Sequence, residues 1–200
     1  MDKNNQKNIL NYFEKKSDYY QNIKNSLLFS LIKKKELDIF KKNVHIISSD
    51  TVIDLASGSG FYINEIAKHK PKEICAIDFS QKMLDKIKLK KITKINSNIE
   101  KLNLNKKFDI IFCFGLLEFC SNTNIIFQKI KDLSKNNSKI YLIFPRNNIF
   151  GLIYRFYHLI NGLNIKLKNY KTIQNELKKN NLKIIKKYNT FLSTFVVIRK

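Results

Sequence analysis

Proline is nearly missing from this chain of 200 residues, with only Pro71 and Pro145 to break it. No Pro/Ser/Gly-rich linker divides it and no internal repeat is found, so its length suits one domain around one large core. No apolar run approaches the roughly 18 residues of a membrane span, and the first residues lack the apolar centre of a secretion signal. A soluble, cytoplasmic protein is the expectation. Cys75, Cys113 and Cys120 fit no metal-ligand spacing, which predicts no metal site, and the first two fall in apolar runs where cysteine acts as a small hydrophobe.

Acids are scarce beside bases, 16 Asp and Glu against 38 Lys and Arg, for a formal net charge of +22. Such a charge invites nucleic acid as a partner. Arginine, however, is limited to Arg146, Arg155 and Arg199, which leaves few forked groups for phosphate or base contacts. The lysine clusters at 33 to 35, 41 to 42, 178 to 179 and 186 to 187 lie far apart in sequence. A nucleic-acid partner is therefore admitted but not favoured, and the charge reads first as a solubility feature.

What the chain does contain is an alternation of short apolar runs and helical stretches. Thr51 to Leu55 is a β-branched run with an acid, Asp54, and it breaks into Ala56-Ser57-Gly58-Ser59-Gly60. Glycine tolerates positive φ, so Gly58 and Gly60 suit a loop whose backbone approaches a ligand. Phe61 to Lys68 then reads as a helix. A dinucleotide fingerprint would need a third glycine where Ile63 stands. Glu73 to Asp78 is a second apolar run ending in an acid, roughly 20 residues after the loop, the offset of a ribose-binding carboxylate. Further strands are expected at Lys94 to Asn96, Phe108 to Phe114 and Lys139 to Phe144, with helices near Gln81 and from Asn124 to Leu133. Alternation of this kind implies parallel pairing and right-handed crossovers. A helix around Thr172 to Lys179 and strands over Leu182 to Tyr188 and Thr190 to Arg199 would close the sheet with an antiparallel edge.

From about Thr51 to Pro145 the chain resembles the class I S-adenosylmethionine-dependent methyltransferases, through an acid and glycine-rich turn of the D-x-x-x-G-x-G kind, the Asp78-Phe79-Ser80-Gln81-Lys82-Met83-Leu84 run, Asn98-Ile99, and Phe108 to Glu118. The resemblance implies an α/β fold with a doubly wound, mostly parallel seven-stranded sheet. It implies S-adenosyl-L-methionine as cofactor, with Asp54, Ala56, Ser57, Gly58 and Gly60 around the methionine end and Asp78 on the ribose. Phe79 and Met83 would stand near the adenine, with Ser80 capping a helix. Asn98 and the Ile99 amide would meet the adenine edge, and Phe114 and Gly115 would wall the sulfur. Four positions depart from the family pattern. Ala56 and Ser57 replace a glycine and a small residue, Asn98 stands where an acid is usual, and Phe119 stands where a histidine commonly follows the Leu117-Glu118 pair.

On this resemblance, residues 1–43 form a helical lead-in, 44–145 the cofactor-binding core, 146–170 an insert on the acceptor side and 171–200 the closing helix and strands. In the lead-in, Ile23, Leu27, Leu28, Leu31 and Ile32 form an apolar stripe, and Tyr12, Phe13, Tyr19 and Tyr20 would line a site if that segment covers one. The insert either holds a flat or greasy acceptor or packs down through Ile149, Leu152, Ile153 and Phe156; helical spacing favours the second. No catalytic residue is assigned, His158 being the one histidine weighed as a general base against a structural role. The implied reaction is methyl transfer to an oxygen, nitrogen or carbon nucleophile of a small molecule. The alternatives are an RNA or protein methyltransferase, or a non-catalytic binding or assembly protein on the same fold.

Overall fold

The computed structural model describes residues 3–16 and 27–200. Tyr19, Tyr20 and Ile23 lie outside the described residues. The elements in chain order are helices α1 (Lys3–Lys16) and α2 (Leu27–Asn43), strand β1 (Thr51–Leu55), α3 (Phe61–Ala67), β2 (Glu73–Asp78), α4 (Gln81–Asp85), β3 (Thr93–Asn96) and β4 (Phe108–Phe114). They continue with α5 (Thr123–Leu133), β5 (Ser134–Pro145), α6 (Ile149–Ile160), α7 (Tyr170–Lys179), β6 (Lys183–Asn189) and β7 (Ser193–Arg199).

Seven strands form one sheet in the order β3-β2-β1-β4-β5-β7-β6. The first five pair in parallel, as the strand and helix alternation predicts. β7 runs antiparallel to both of its neighbours, so the reversed strand sits second from the edge, covered by β6. The two edge strands are the most exposed, and β6 carries Lys183, Lys186 and Lys187, charges that discourage pairing with another chain.

Side-chain alternation sorts the strand residues onto two faces. Ile53, Leu55, Ile111 and Cys113 point to one core with Ile126, Phe127 and Ile130 of α5 and Ile173 and Leu177 of α7. Val52, Ile110, Phe112 and Phe114 point to the other, with Phe40 of α2 and Ile63 and Ile66 of α3. The three cysteines are free and buried. Among the described residues no group of three or more His, Cys, Asp or Glu is placed to hold a metal ion, and no helix is long and apolar enough to cross a membrane.

Of the apolar stripe in the lead-in, the side chains of Leu27, Leu28 and Ile32 lie outside the described residues and Leu31 is 51% exposed; α2 turns Glu36, Leu37 and Phe40 inward, where the Phe40 ring packs on Tyr62, Phe112 and Phe114. One expectation about helices is corrected. Ile149, Leu152, Ile153 and Phe156 do not pack down: they are 49–64% exposed, because α6 is seated by its opposite face.

Candidate active site

The chain steps outward from β1 to β2 and β3, then returns to lay β4 on the other side of β1. At that reversal the loops leaving the carboxyl ends of β1 and β4 part in opposite directions and leave a crevice, the usual ligand position in an open α/β sheet. A cavity of about 560 Å³ occupies it. Asp54, Ala56, Ser57, Gly58, Asp78, Phe79, Met83, Asn98, Ile99, Phe114 and Gly115 all line it. Gly60 does not: it is buried at φ +82°, and a Cβ there would stand 2.7 Å from the Ile87 Cγ1. Its place in the loop is set by packing on Ile87, just beyond the end of α4.

The loop is held from below. The Ser57 amide donates to the Ile77 carbonyl at 2.8 Å, and the Gly60 amide to the Ser57 carbonyl at 3.0 Å. Gly58 has φ +53°, and among the described residues nothing lies within 4 Å of a Cβ position there, so the space before it is open. Ala56 has φ +66°, the left-handed region that a Cβ disfavours, at the position where the resembled family has glycine.

Asp78 ends β2 with its carboxylate engaged on one side. Oδ2 accepts from the Gly58 amide at 2.8 Å and Oδ1 from the Ser80 amide at 2.9 Å. Burial raises its pKa, and the amides of Ser80, Gly58 and Phe79 pull it back. Each oxygen retains acceptor capacity for a ligand hydroxyl. Ser80 caps α4, its hydroxyl accepting from the Met83 amide at 3.3 Å, and so orients Phe79 and Met83. Asn98 Oδ1 accepts from the Glu100 amide at 2.8 Å, capping a short 3-10 turn (Ile99–Lys101). The residue that departs from the family acid thus also holds its own loop.

Two carboxylates stand out at the floor. Asp54 is 2% exposed, and its Oδ1 has no hydrogen-bond partner among the described residues. Burial and the nearby charge of Asp78 raise its pKa well above the usual carboxylate range. Glu118, in a 3-10 turn after β4 (Leu117–Phe119), is 3% exposed, lines the cavity and leaves Oε2 without a partner among the described residues. Burial lifts its pKa to about 7, with Lys33 opposing and Glu36 adding to the shift. Lys33 donates to Glu36 Oε2 at 2.7 Å, and the Tyr62 hydroxyl donates to the same oxygen at 3.0 Å. Lys33, Lys34, Leu37 and Tyr62 line the cavity too. Sequence reading passes over this group. Glu118 is visible beside Leu117, but nothing local shows that α2 brings Lys33 and Glu36 to it.

Above the floor, α1 contributes Gln6, Ile9 and Phe13, and α6 contributes Tyr154. The Phe13 ring meets Phe79 at 6.3 Å and Phe119 at 5.2 Å, both edge-on. His158 does not line the cavity. It is 2% exposed, its Nδ1 lies 3.0 Å from the Tyr12 hydroxyl, and the rings of Tyr154 and Phe119 stand against it.

Residues 53–142 match the family model described as methyltransferase domain. The 235L protein of Invertebrate iridescent virus 6, which carries a methyltransferase name, is 32% identical over an alignment of 110 residues that covers 52% of this chain and 40% of that relative. Magnesium protoporphyrin IX methyltransferase of Synechocystis PCC 6803, solved with bound SAH, superposes with a TM-score of 0.77 at 13% identity, over 98% of this chain and 99% of that one. The N-methyltransferase NodS of Bradyrhizobium japonicum, also with SAH, gives 0.73 at 11% identity, over 96% and 98%. These two show the fold alone. The glycine loop and both strand-end acids thus lie inside the segment that matches a methyltransferase domain, and the whole chain has the fold of S-adenosylmethionine-dependent methyltransferases.

Proposed function

We propose that this chain transfers a methyl group from S-adenosyl-L-methionine to an oxygen, nitrogen or carbon nucleophile of a small-molecule acceptor. One observation carries the reading: Asp54 and Asp78, at the ends of adjacent parallel strands, present buried acceptor oxygens to one cavity beside an open glycine loop. A nucleoside joined to an amino acid supplies what those oxygens lack, two ribose hydroxyls for Asp78 and an ammonium for Asp54. Asp78 holds the ribose. Phe79, Met83, Asn98 and the Ile99 amide hold the adenine. Ala56, Ser57 and Gly58 bound the methionine end, Gly60 keeps their loop in place, and Phe114 and Gly115 wall the sulfur.

When bound, the cofactor supplies an electrophilic methyl on a sulfonium. The protein's work is then alignment in a site closed to water, which contributes up to roughly 7–11 kcal/mol when reacting atoms are well placed. Glu118 is the proton acceptor of this reading, since its unpartnered Oε2 lies in the cavity wall and its pKa of about 7 suits general-base work near neutrality. His158 is a positioning residue, fixing Tyr154 and Tyr12. One neighbour of this fold is named for a magnesium porphyrin, an acceptor of the small-molecule class this reading assigns. Three free, buried cysteines fit a reducing cytoplasmic setting.

The test is calorimetry with S-adenosylhomocysteine on protein shown by circular dichroism to be folded. Saturable binding at micromolar ligand is expected. No heat at millimolar ligand would remove the methyltransferase reading.

A further inference from the structure

Helix α6 is seated with its polarity reversed. Gly151 and His158 are buried and Tyr154 is half-buried; spaced by three and four residues, they form one narrow inward seam. Of the nine remaining residues, one is Arg155 and eight are large apolar side chains, 39–66% exposed. Those eight are two-thirds of the twelve strongly exposed large apolar side chains among the described residues, so the apolar surface is gathered on one helix.

Specific contacts fix this orientation. A Cβ at Gly151 would fall 1.8 Å from the Arg146 carbonyl oxygen, so only glycine fits that point of the seam. The Asn148 side chain caps the helix by accepting from the Gly151 amide at 3.0 Å, and His158 meets the Tyr12 hydroxyl at 3.0 Å. Turning the helix to bury its isoleucines would break the histidine contact and drive a larger side chain into the Arg146 carbonyl.

We propose that the outward face of α6 inserts into the headgroup layer of an anionic lipid surface. Apolar patches of this concentration are rare on free proteins and mark interaction sites. The surrounding charge selects the partner. From Arg146 to Asn175 the sequence has five Lys or Arg residues and no Asp or Glu. The exposed Phe191 ring extends the patch, lying 5.7 Å from Phe150, and the Lys35 ammonium sits 3.8 Å above it. Apolar side chains rimmed by cations match a bilayer carrying negative headgroups. A second copy would bring like charges face to face, and a nucleic acid offers nothing to the isoleucines. Tyr154 of the same helix lines the cavity, so docking brings that cavity to headgroup level and the acceptor becomes an amphiphile drawn from the bilayer. That consequence rests on the methyl-transfer reading; the docking does not.

The experiment is co-sedimentation of the full chain with vesicles of phosphatidylcholine alone and of phosphatidylcholine with phosphatidylglycerol. Binding to the anionic vesicles is expected, at least tenfold stronger than to the neutral ones. The Ile153→Ser/Phe156→Ser variant alters two exposed side chains and no charge, and should lose at least tenfold in binding with its circular dichroism and S-adenosylhomocysteine titration unchanged. Because the chain contains no tryptophan, Phe156→Trp gives a single reporter whose emission should shift to the blue on anionic vesicles. Failure of the folded protein to sediment would overturn docking. So would wild-type binding by the serine variant, which would assign the attraction to lysines alone. A lipid-free dimer in light scattering that the serine variant abolishes would assign the face to a second copy instead.

Discussion

The carboxylate of Asp78 accepts the amide of Gly58 at 2.8 Å, tying the acid of the second strand to the glycine loop of the first. One residue therefore shapes the loop and turns its remaining acceptor capacity toward the cavity.

Asp78→Ala should weaken S-adenosylhomocysteine binding by at least about 100-fold, since charged hydrogen bonds to two hydroxyls are worth roughly 1.5–3 kcal/mol each. Asp78→Asn keeps one acceptor for Gly58 and should fall between, with a loss on the order of tenfold. Calorimetry on both variants checks this. Alanine binding within threefold of wild type would show that the ribose lies elsewhere.

Ala56 and Gly60 predict opposite outcomes for the same pair of residues. Ala56→Gly relieves a left-handed conformation worth about 1–2 kcal/mol, against about 0.5–1 kcal/mol of added chain entropy, so stability should hold or rise by up to about 1.5 kcal/mol. Gly60→Ala puts a Cβ at positive φ and 2.7 Å from Ile87, and should destabilise by roughly 2 kcal/mol or more. Thermal melts read both, at about 2–4 °C per kcal/mol for a chain of this size. Shifts of the same sign would refute this account of the loop.

Glu118 has a folded pKa of about 7 against an ordinary 4.5, so the folded state binds the proton more tightly. Its contribution is fully present below pH 4.5 and is lost as pH rises through about 7, a difference on the order of 3 kcal/mol. Glu118→Gln should flatten that fall when denaturant melts are compared across pH 4 to 8. Transfer should rise with pH through about 7 in wild type. In the glutamine variant the step should vanish and the rate drop by roughly 10²–10⁴. An unchanged profile would remove Glu118 as the base.

Tyr12→Phe removes the hydroxyl that meets His158 Nδ1 and should cost about 1–3 kcal/mol of stability. His158→Gln should likewise lower the melting temperature while keeping the pH step in transfer. A step lost in the histidine variant and kept in Glu118→Gln would exchange their roles.

The sheet is legible in the sequence because β1, β2 and β4 are mostly buried on both faces and carry short apolar runs, Val52-Ile53, Ile74 to Ile77 and Ile110 to Phe114, that stop at Asp54, Asp78 and Gly115. The Ser80 cap is legible for the same local reason. Gly60 is recognisable as a loop glycine, but its partner Ile87 lies 27 residues on, beyond any pattern within the loop. Periodicity finds the apolar stripe of α6 and misjudges its direction, since spacing defines a face without saying which face meets the protein. The inward seam depends on Arg146 and Tyr12, one just before the helix and the other far from it in sequence. The start of β5, Ser134 to Ser138, is polar and belongs to a strand only because β4 pairs with it across an irregular register.

The position of β7 bears on how the chain is made. Its residues 193–199 fill the place beside β5, pairing from Lys139 to Pro145, yet they are synthesised roughly 50 residues later. At about 5–20 residues per second, the free edge of β5 waits several seconds on the ribosome for its partner. During that interval the apolar run Ile140 to Phe144 is open to pairing with a neighbouring nascent chain.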